Sequence, residues 1–293
     1  MSIRLMPLHL VGDCAQHGAK AVSLAWLNAC GLPVPPGMVI AAATPDHALP
    51  QAVDEVAQWG RHRAPYGLIV RPSAPAHSPD LGGMPGGPTV SRFTSTEPEA
   101  LLRAVVQVRD SARRAAAAEQ RVPPGMAVLV QGALRPYAAG TISVQTQEGR
   151  CQGWRAEARR GLALVPFDAQ RPGEVHTGTA DLHEGIRPGQ EQGLQVPAHT
   201  GELALPAGAT TVLGDVSGGT VRATVTGHDG ATVRLQAPPD WQGTQVLSQW
   251  HCERLRKLAT RTAALLPASG VHLEWVLTPD GCLHVLQARA LAA

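Results

Sequence analysis

The chain has 293 residues, enough for one large or two modest domains with full cores, and its 25 Lys plus Arg against 23 Asp plus Glu leave a formal charge of +2. No acidic or basic block exceeds a pair, so strong nucleic-acid or membrane attraction is not indicated. Five scattered cysteines without a C-x-x-C spacing suit a reducing cytosol better than a disulfide framework or a zinc site.

No apolar run approaches the ~18 residues of a membrane span. The segment Met1–Asp13 carries neither a long apolar core nor a small-residue cleavage site, so a soluble, cytoplasmic protein is expected. Leu8–Val11 is a short apolar run, and a helical pattern follows from about His17 to Cys30 with Val22, Trp26 and Ala29 as its stripe and Gly31 as its cap. Lys20 sits after Gly18 at the start of that helix. There a helix N-terminus and an ammonium can face one anion, although a first-turn lysine is commonly plain solvated surface. Leu32–Ile40 is a proline-stiffened lead into a strand at Met38–Ala41, and the next helix, about Pro50–Trp59, turns Val53, Val56 and Ala57 inward.

Gly67–Val70 reads as a buried strand that delivers Arg71 to its end, where arginine holds either a ligand phosphate or an ion pair. The glycine- and proline-rich loop Arg71–Pro88 follows. It cannot form a regular element, and its backbone N–H groups suit phosphate contacts, or it is a linker. Thr96–Glu99 starts a capped helix carrying Leu101, Val105, Val108 and Ala112 inward, with Arg103, Arg109, Arg113 and Arg114 read as a solvated face. Val122–Gly125 reads as a boundary between lobes 1–122 and 123–293.

Beyond it, strands are expected at Met126–Gln131, Ala139–Val144, Trp154–Ala158 with Glu157 inside it, and Leu162–Val165. From Asp168 to Asp215 no element resolves except a short run near Thr210–Leu213. Val221–Val225 and Ala231–Leu235 suggest a hairpin, and a helix runs from about Thr244 to Leu265 with a broken stripe of Val246, Trp250, Leu255, Leu258 and Leu265.

The last segment, Val271–Leu291, is two alternating runs around the turn Thr278-Pro279-Asp280-Gly281. Pairing Leu277 with Cys282 sets Glu274 opposite Val285 and His272 opposite Gln287. His272, Glu274, Gln287 and Arg289 then share one face, and Val271, Leu273, Trp275, Leu286 and Ala288 the other. The polar face reads as a polyanion or metal-phosphate site, or as a solvated sheet face.

Several of these stretches, in this order, resemble one family. His17-Gly18-Ala19-Lys20 through Gly31-Leu32-Pro33-Val34-Pro35-Pro36-Gly37-Met38-Val39-Ile40 is similar to the opening of the N-terminal nucleotide-binding domain of phosphoenolpyruvate synthase and pyruvate phosphate dikinase. Leu68–Ala74 followed by Gly83-Met84-Pro85-Gly86 resembles the family's arginine strand and phosphate loop. Met126–Gln131 looks like its V-V-V-Q strand, and the terminal hairpin is similar to its D-I-E-W through L-L-Q-A-R run.

The resemblance implies an α+β, ATP-grasp-like fold of two lobes with a nucleotide site between them. It implies ATP and Mg²⁺ as cofactors, with Lys20, Arg71, Gln131, Arg289 and the loop glycines Gly83, Gly86 and Gly87 binding nucleotide. Glu274 and Gln287 would hold metal, and Arg71 and Arg289 would act on the transferred phosphate. The implied function is an ATP-dependent, kinase-type phosphotransferase component that passes phosphate to a partner histidine or to a small-molecule acceptor. The alternatives are a non-catalytic nucleotide-binding module or an ATP-grasp ligase. The chain departs from the family at His272, where it has Asp, at His77 and Ser78, at Thr146 and Gln147, and at Leu164, each in place of an acidic or Asp-Pro position. None of its twelve histidines stands in the family's T-S-H context.

Overall fold

A computed structural model describes residues 5–75, 91–118, 125–160, 174–179, 212–217, 220–225, 232–236, 246–266 and 268–291. The chain divides into two units that part between Leu134 and Arg135. Antiparallel sheets and separate helices make it an α+β protein.

The first unit is built on strands β1 (Leu5–Pro7), β2 (Gly37–Ile40), β3 (Leu68–Ser73), β4 (Arg92–Thr94) and β5 (Ala127–Gly132), in the spatial order β1-β2-β5-β3-β4. β5 occupies the centre because its run A-V-L-V-Q-G is buried along its whole length, which requires cover on both faces. The strand that follows Val122–Gly125 is therefore the middle of the first sheet. Helices α2 (Leu49–Arg63) and α3 (Pro98–Ala118) cover one face. Val53, Val56, Leu101, Val105 and Val108 pack there against Ile40, Leu68, Val70, Val128 and Val130, as their spacing requires. β4 is a strand that sequence pattern alone did not show.

Helix α1 (Cys14–Ala29) covers the other face, and its phase differs from expectation. Ala21, Leu24, Ala25 and Leu27 are buried, whereas Trp26 is 39% exposed. The cause lies at Gly18, whose φ of 77° and ψ of 157° interrupt the helix. The helix restarts with the N–H of Ala19 on the carbonyl of Ala74 (2.7 Å) and the N–H of Ala21 on Ser73 Oγ (3.0 Å). Docking on Ser73, rather than the apolar stripe, sets which side of α1 meets the sheet. A Cβ at residue 18 would run into the Ser73 carbonyl.

Arg109 also departs from its expected solvated face. It is 5% exposed and donates to the carbonyls of Thr44 (2.8 Å) and Ala41 (3.1 Å) and to Asp46 Oδ1 (3.2 Å), tying α3 to the turn before α2.

The second unit holds β6 (Ala138–Gln147), β7 (Arg150–Arg160), β8 (Glu174–Thr179), and, beyond α4 (Gln249–Leu265), β12 (Gly270–Leu277) and β13 (Leu283–Ala290). Its sheet has the order β13-β12-β6-β7-β8, antiparallel throughout. β8 falls in the stretch where the sequence resolved nothing. α4 packs on β6 and β12 and starts later than expected, at a capping box formed by Ser248 and His251. It buries His251, Cys252, Leu255, Ala259 and Ala263, while Leu265 stays 36% exposed. Its sheet face carries Ile142, Val144, Ala156, Val271, Leu273, Trp275 and Val285. Gly140 is small enough there to admit the Trp275 ring. Strands β9 (Val212–Ser217), β10 (Thr220–Val225) and β11 (Thr232–Gln236) form a separate sheet in the order β11-β10-β9, so the two strands of the expected hairpin are neighbours, while its turn lies outside the described residues. The expected strand Leu162–Val165 lies outside the described residues.

Candidate functional site

In the first unit, Arg71 lies within β3, opposite Leu129 of β5, and alternation turns it to the α1 side together with Ser73 and Gln131. It is 6% exposed, and its Nη1 donates to Gln131 Oε1 at 3.3 Å. Gln131 is 1% exposed, and its Nε2 donates to the carbonyl of Pro35 at 2.9 Å. Each end of the Gln131 amide thus makes a bond inside the protein, which helps fix the guanidinium of Arg71. Lys20 follows immediately on the restart of α1 after Gly18 and is half-buried. That restart is a helix N-terminus, as the sequence indicated, and its Ala21 N–H is occupied by Ser73 Oγ. Gly83, Gly86 and Gly87 lie outside the described residues, as do His77, Ser78 and Leu164.

In the second unit the terminal hairpin forms with a different register. Leu277 pairs with Leu283, Val276 with His284 and Trp275 with Val285; then Glu274 pairs with Gln287, Leu273 with Ala288 and His272 with Arg289. The register shifts between Glu274 and Trp275, whose partners Gln287 and Val285 are two residues apart, so β13 carries a bulge at this point. Val285 accordingly joins Trp275 on the α4 side, and Gln287 crosses to the opposite face. The result is a closer constellation than the expected pairing: Glu274 directly beside Gln287, and His272 directly beside Arg289. With the Gln287 amide oriented so that its oxygen faces Arg289, it accepts from Nε (2.6 Å) and Nη2 (2.7 Å).

Sheet pairing extends both rows. His272 faces Ser143 on β6, which faces Arg155 on β7; Glu274 faces Thr141, which faces Glu157. Ser143 Oγ and His272 Nδ1 are hydrogen-bonded at 2.8 Å. Arg155 donates to Glu157 Oε1 from Nη2 (2.6 Å) and Nε (3.1 Å). Burial keeps the His272 imidazole below its ordinary range; the Glu274 carboxylate pulls it back up, Arg289 pushes it down, and Glu157 again raises it. Glu157 was legible as a strand residue, but nothing local marked it for a site. Its alternation with Ala156 and Ala158 was the available signal.

Among the described residues no group of three or more His, Cys, Asp or Glu could hold a metal ion. Mg²⁺ does not need one, since it is commonly held by one or two protein oxygens with phosphate oxygens and waters filling its octahedron. A carboxylate and an amide oxygen in one cross-strand pair, with a guanidinium alongside, fit a metal that arrives with phosphate. Thr146, at an irregularity of β6, donates its N–H to the Ser269 carbonyl (2.7 Å).

No family model matches the chain, and no curated protein does. Among solved structures it is similar to D-alanyl-alanine synthetase A of Vibrio cholerae (13% identity, 92% of this chain and 54% of that one, TM-score 0.42). It is similar to the ATP-grasp ligase PsnB in complex with a minimal precursor (14%, 94% and 52%, TM-score 0.37). It is also similar to the biotin carboxylase domain of the Hydrogenobacter thermophilus 2-oxoglutarate carboxylase, solved with MgADP, ADP and bicarbonate (13%, 94% and 40%, TM-score 0.44). The chain spans about half the length of the first two and less of the third. Likenesses at this level transfer no property of those proteins to this chain.

Proposed function

We propose that the chain is an ATP-grasp-like module that binds Mg-ATP and moves its terminal phosphate. The pairing of Glu274 with Gln287, with Arg289 holding the Gln287 oxygen, carries this reading. On it, Glu274 and Gln287 hold Mg²⁺, which when bound neutralises phosphate oxygens as charge builds on them. On this reading Gln287 gives up its contact to Arg289 to reach the metal, and the freed Arg289 guanidinium grips the phosphate chain. Arg71, fixed through Gln131 and Pro35, presents a permanent guanidinium charge, and Lys20 adds an ammonium at the restart of α1. Gly83, Gly86 and Gly87 belong to the phosphate-covering loop on this reading, with their backbone N–H groups as donors.

Two acceptors fit that chemistry. The sequence resemblance supports a kinase-type component serving a partner histidine or a small molecule. The second reading is an ATP-grasp ligase, in which a carboxylate takes the phosphate as an acyl phosphate before an amine displaces it.

The deciding experiment incubates the full chain with ATP and Mg²⁺ and measures ADP, AMP and phosphate. One arm adds a phosphohistidine-domain protein; the other adds amino acids as carboxylate and amine donors. ADP formed together with a phosphorylated histidine protein supports the kinase reading, and ADP formed only with amino acids supports the ligase. Calorimetry that detects no ATP binding, with or without Mg²⁺, defeats both; binding without turnover leaves a non-catalytic nucleotide module.

A further inference from the structure

Resting on the Mg-ATP reading, we infer that Glu157 is a further oxygen donor to the metal held by Glu274 and Gln287, and that Arg155 is the group that releases it. The sheet register places Gln287, Glu274, Thr141 and Glu157 in one row across β13, β12, β6 and β7. They alternate away from α4, opposite the face that buries Trp275, Ile142 and Ala156. Adjacent strands stand about 4.8 Å apart, so the two glutamates start roughly 10 Å apart at the backbone. Only the short side chain of Thr141 lies between them, and two glutamates of that separation can lean toward one cation.

Glu157 is available for this in a way that a surface carboxylate is not. Its side chain is 20% exposed and is held by the guanidinium of Arg155, itself 57% exposed, through both contacts to the single oxygen Oε1. Arg155 therefore holds the carboxylate in place while no cation is present. Being an exposed side chain, it has little to lose on letting go. A divalent cation arriving with phosphate is a stronger partner for the carboxylate, and the freed guanidinium is left in the row of Ser143, His272 and Arg289, where it can face a phosphate oxygen.

The test titrates the full chain with Mn²⁺, followed by electron paramagnetic resonance, in the presence of a non-hydrolysable ATP analogue. The same analogue is titrated calorimetrically in EDTA. Glu157→Gln keeps the hydrogen bond to Arg155 and removes the charge; it should weaken Mn²⁺ binding roughly tenfold or more and leave metal-free nucleotide affinity unchanged. Arg155→Met removes the competitor and should tighten Mn²⁺ binding. Mn²⁺ affinity unchanged in a folded Glu157→Gln protein overturns this inference alone. If that variant does not fold, unchanged affinity in Arg155→Met overturns it. A wild-type chain that binds neither the analogue nor Mn²⁺ with it overturns the Mg-ATP reading as well.

Discussion

Gln131 shows how a single side chain can tie a buried guanidinium to a distant backbone carbonyl. Its amide spans Arg71 and the Pro35 carbonyl at 1% exposure, so Gln131→Leu leaves a buried guanidinium and a buried carbonyl each short of a partner. The expected loss is about 1–3 kcal/mol in chemical denaturation, with weakened ATP binding in calorimetry. His272 is a second decisive residue. Asp at this position can still accept from Ser143 Oγ and would bring another carboxylate to the row beside Glu274. His272→Asp should therefore tighten Mg²⁺-dependent ATP binding; unchanged or weaker binding would show that no metal sits against this face. His272 was marked in the sequence by both alternation and the family resemblance, and Gln131 by the resemblance alone. Their partners were not, since Pro35 and Ser143 are distant in sequence and carry no mark of their own.

At the scale of elements, the strongly periodic helices α2 and α3 were readable because their apolar spacing is the same signal that buries them. α1 was misphased because its orientation is set by Ser73, 52 residues beyond Ala21, and by a glycine conformation that interrupts the helix. Gly18→Ala must both adopt a φ that side chains avoid and push away the Ser73 carbonyl. It should lower stability by more than the ~1–3 kcal/mol of backbone strain alone, measured by urea denaturation. Arg109 was misread for a related reason. It stands four residues after Val105, on the buried stripe, and its charge suggested solvent where the structure supplies three acceptors. Arg109→Met should cost about 3–5 kcal/mol, because the Thr44 and Ala41 carbonyls lose their donor inside the core. β4 and β8 were missed because short edge strands gain their structure from a neighbour rather than from their own pattern.

Across the whole molecule, acid sensitivity should be concentrated in the second unit. Burial, with help from Arg254, holds the His251 imidazole below the ordinary 6.5; burial also lowers His284, against the pull of Asp280, and His272 is lowered in the same sense. Below pH 6.5 the unfolded chain then binds more protons than the folded one, so stability rises with pH across this window. It is complete above about 6.5 and is lost as pH falls through the folded-state values. Melting temperature followed by circular dichroism from pH 7.5 down to 5 should fall, and His251→Gln should flatten the slope. The depressed carboxyls of Asp46 and Asp280 act in the opposite limit, losing their contribution only below the ordinary 3.8. No helix among the described residues is long and apolar enough to cross a membrane. The register shift opposite Glu274 and Trp275 has a consequence for any saturation-mutagenesis map of the C-terminus. Odd-numbered positions 283 and 285 should tolerate only apolar replacements, whereas odd-numbered 287 and 289 should demand polar ones, so the tolerance profile slips by half a period at residue 286. Deleting that one residue would bring the profile back into step and keep Gln287 and Arg289 on the polar face beside Glu274 and His272.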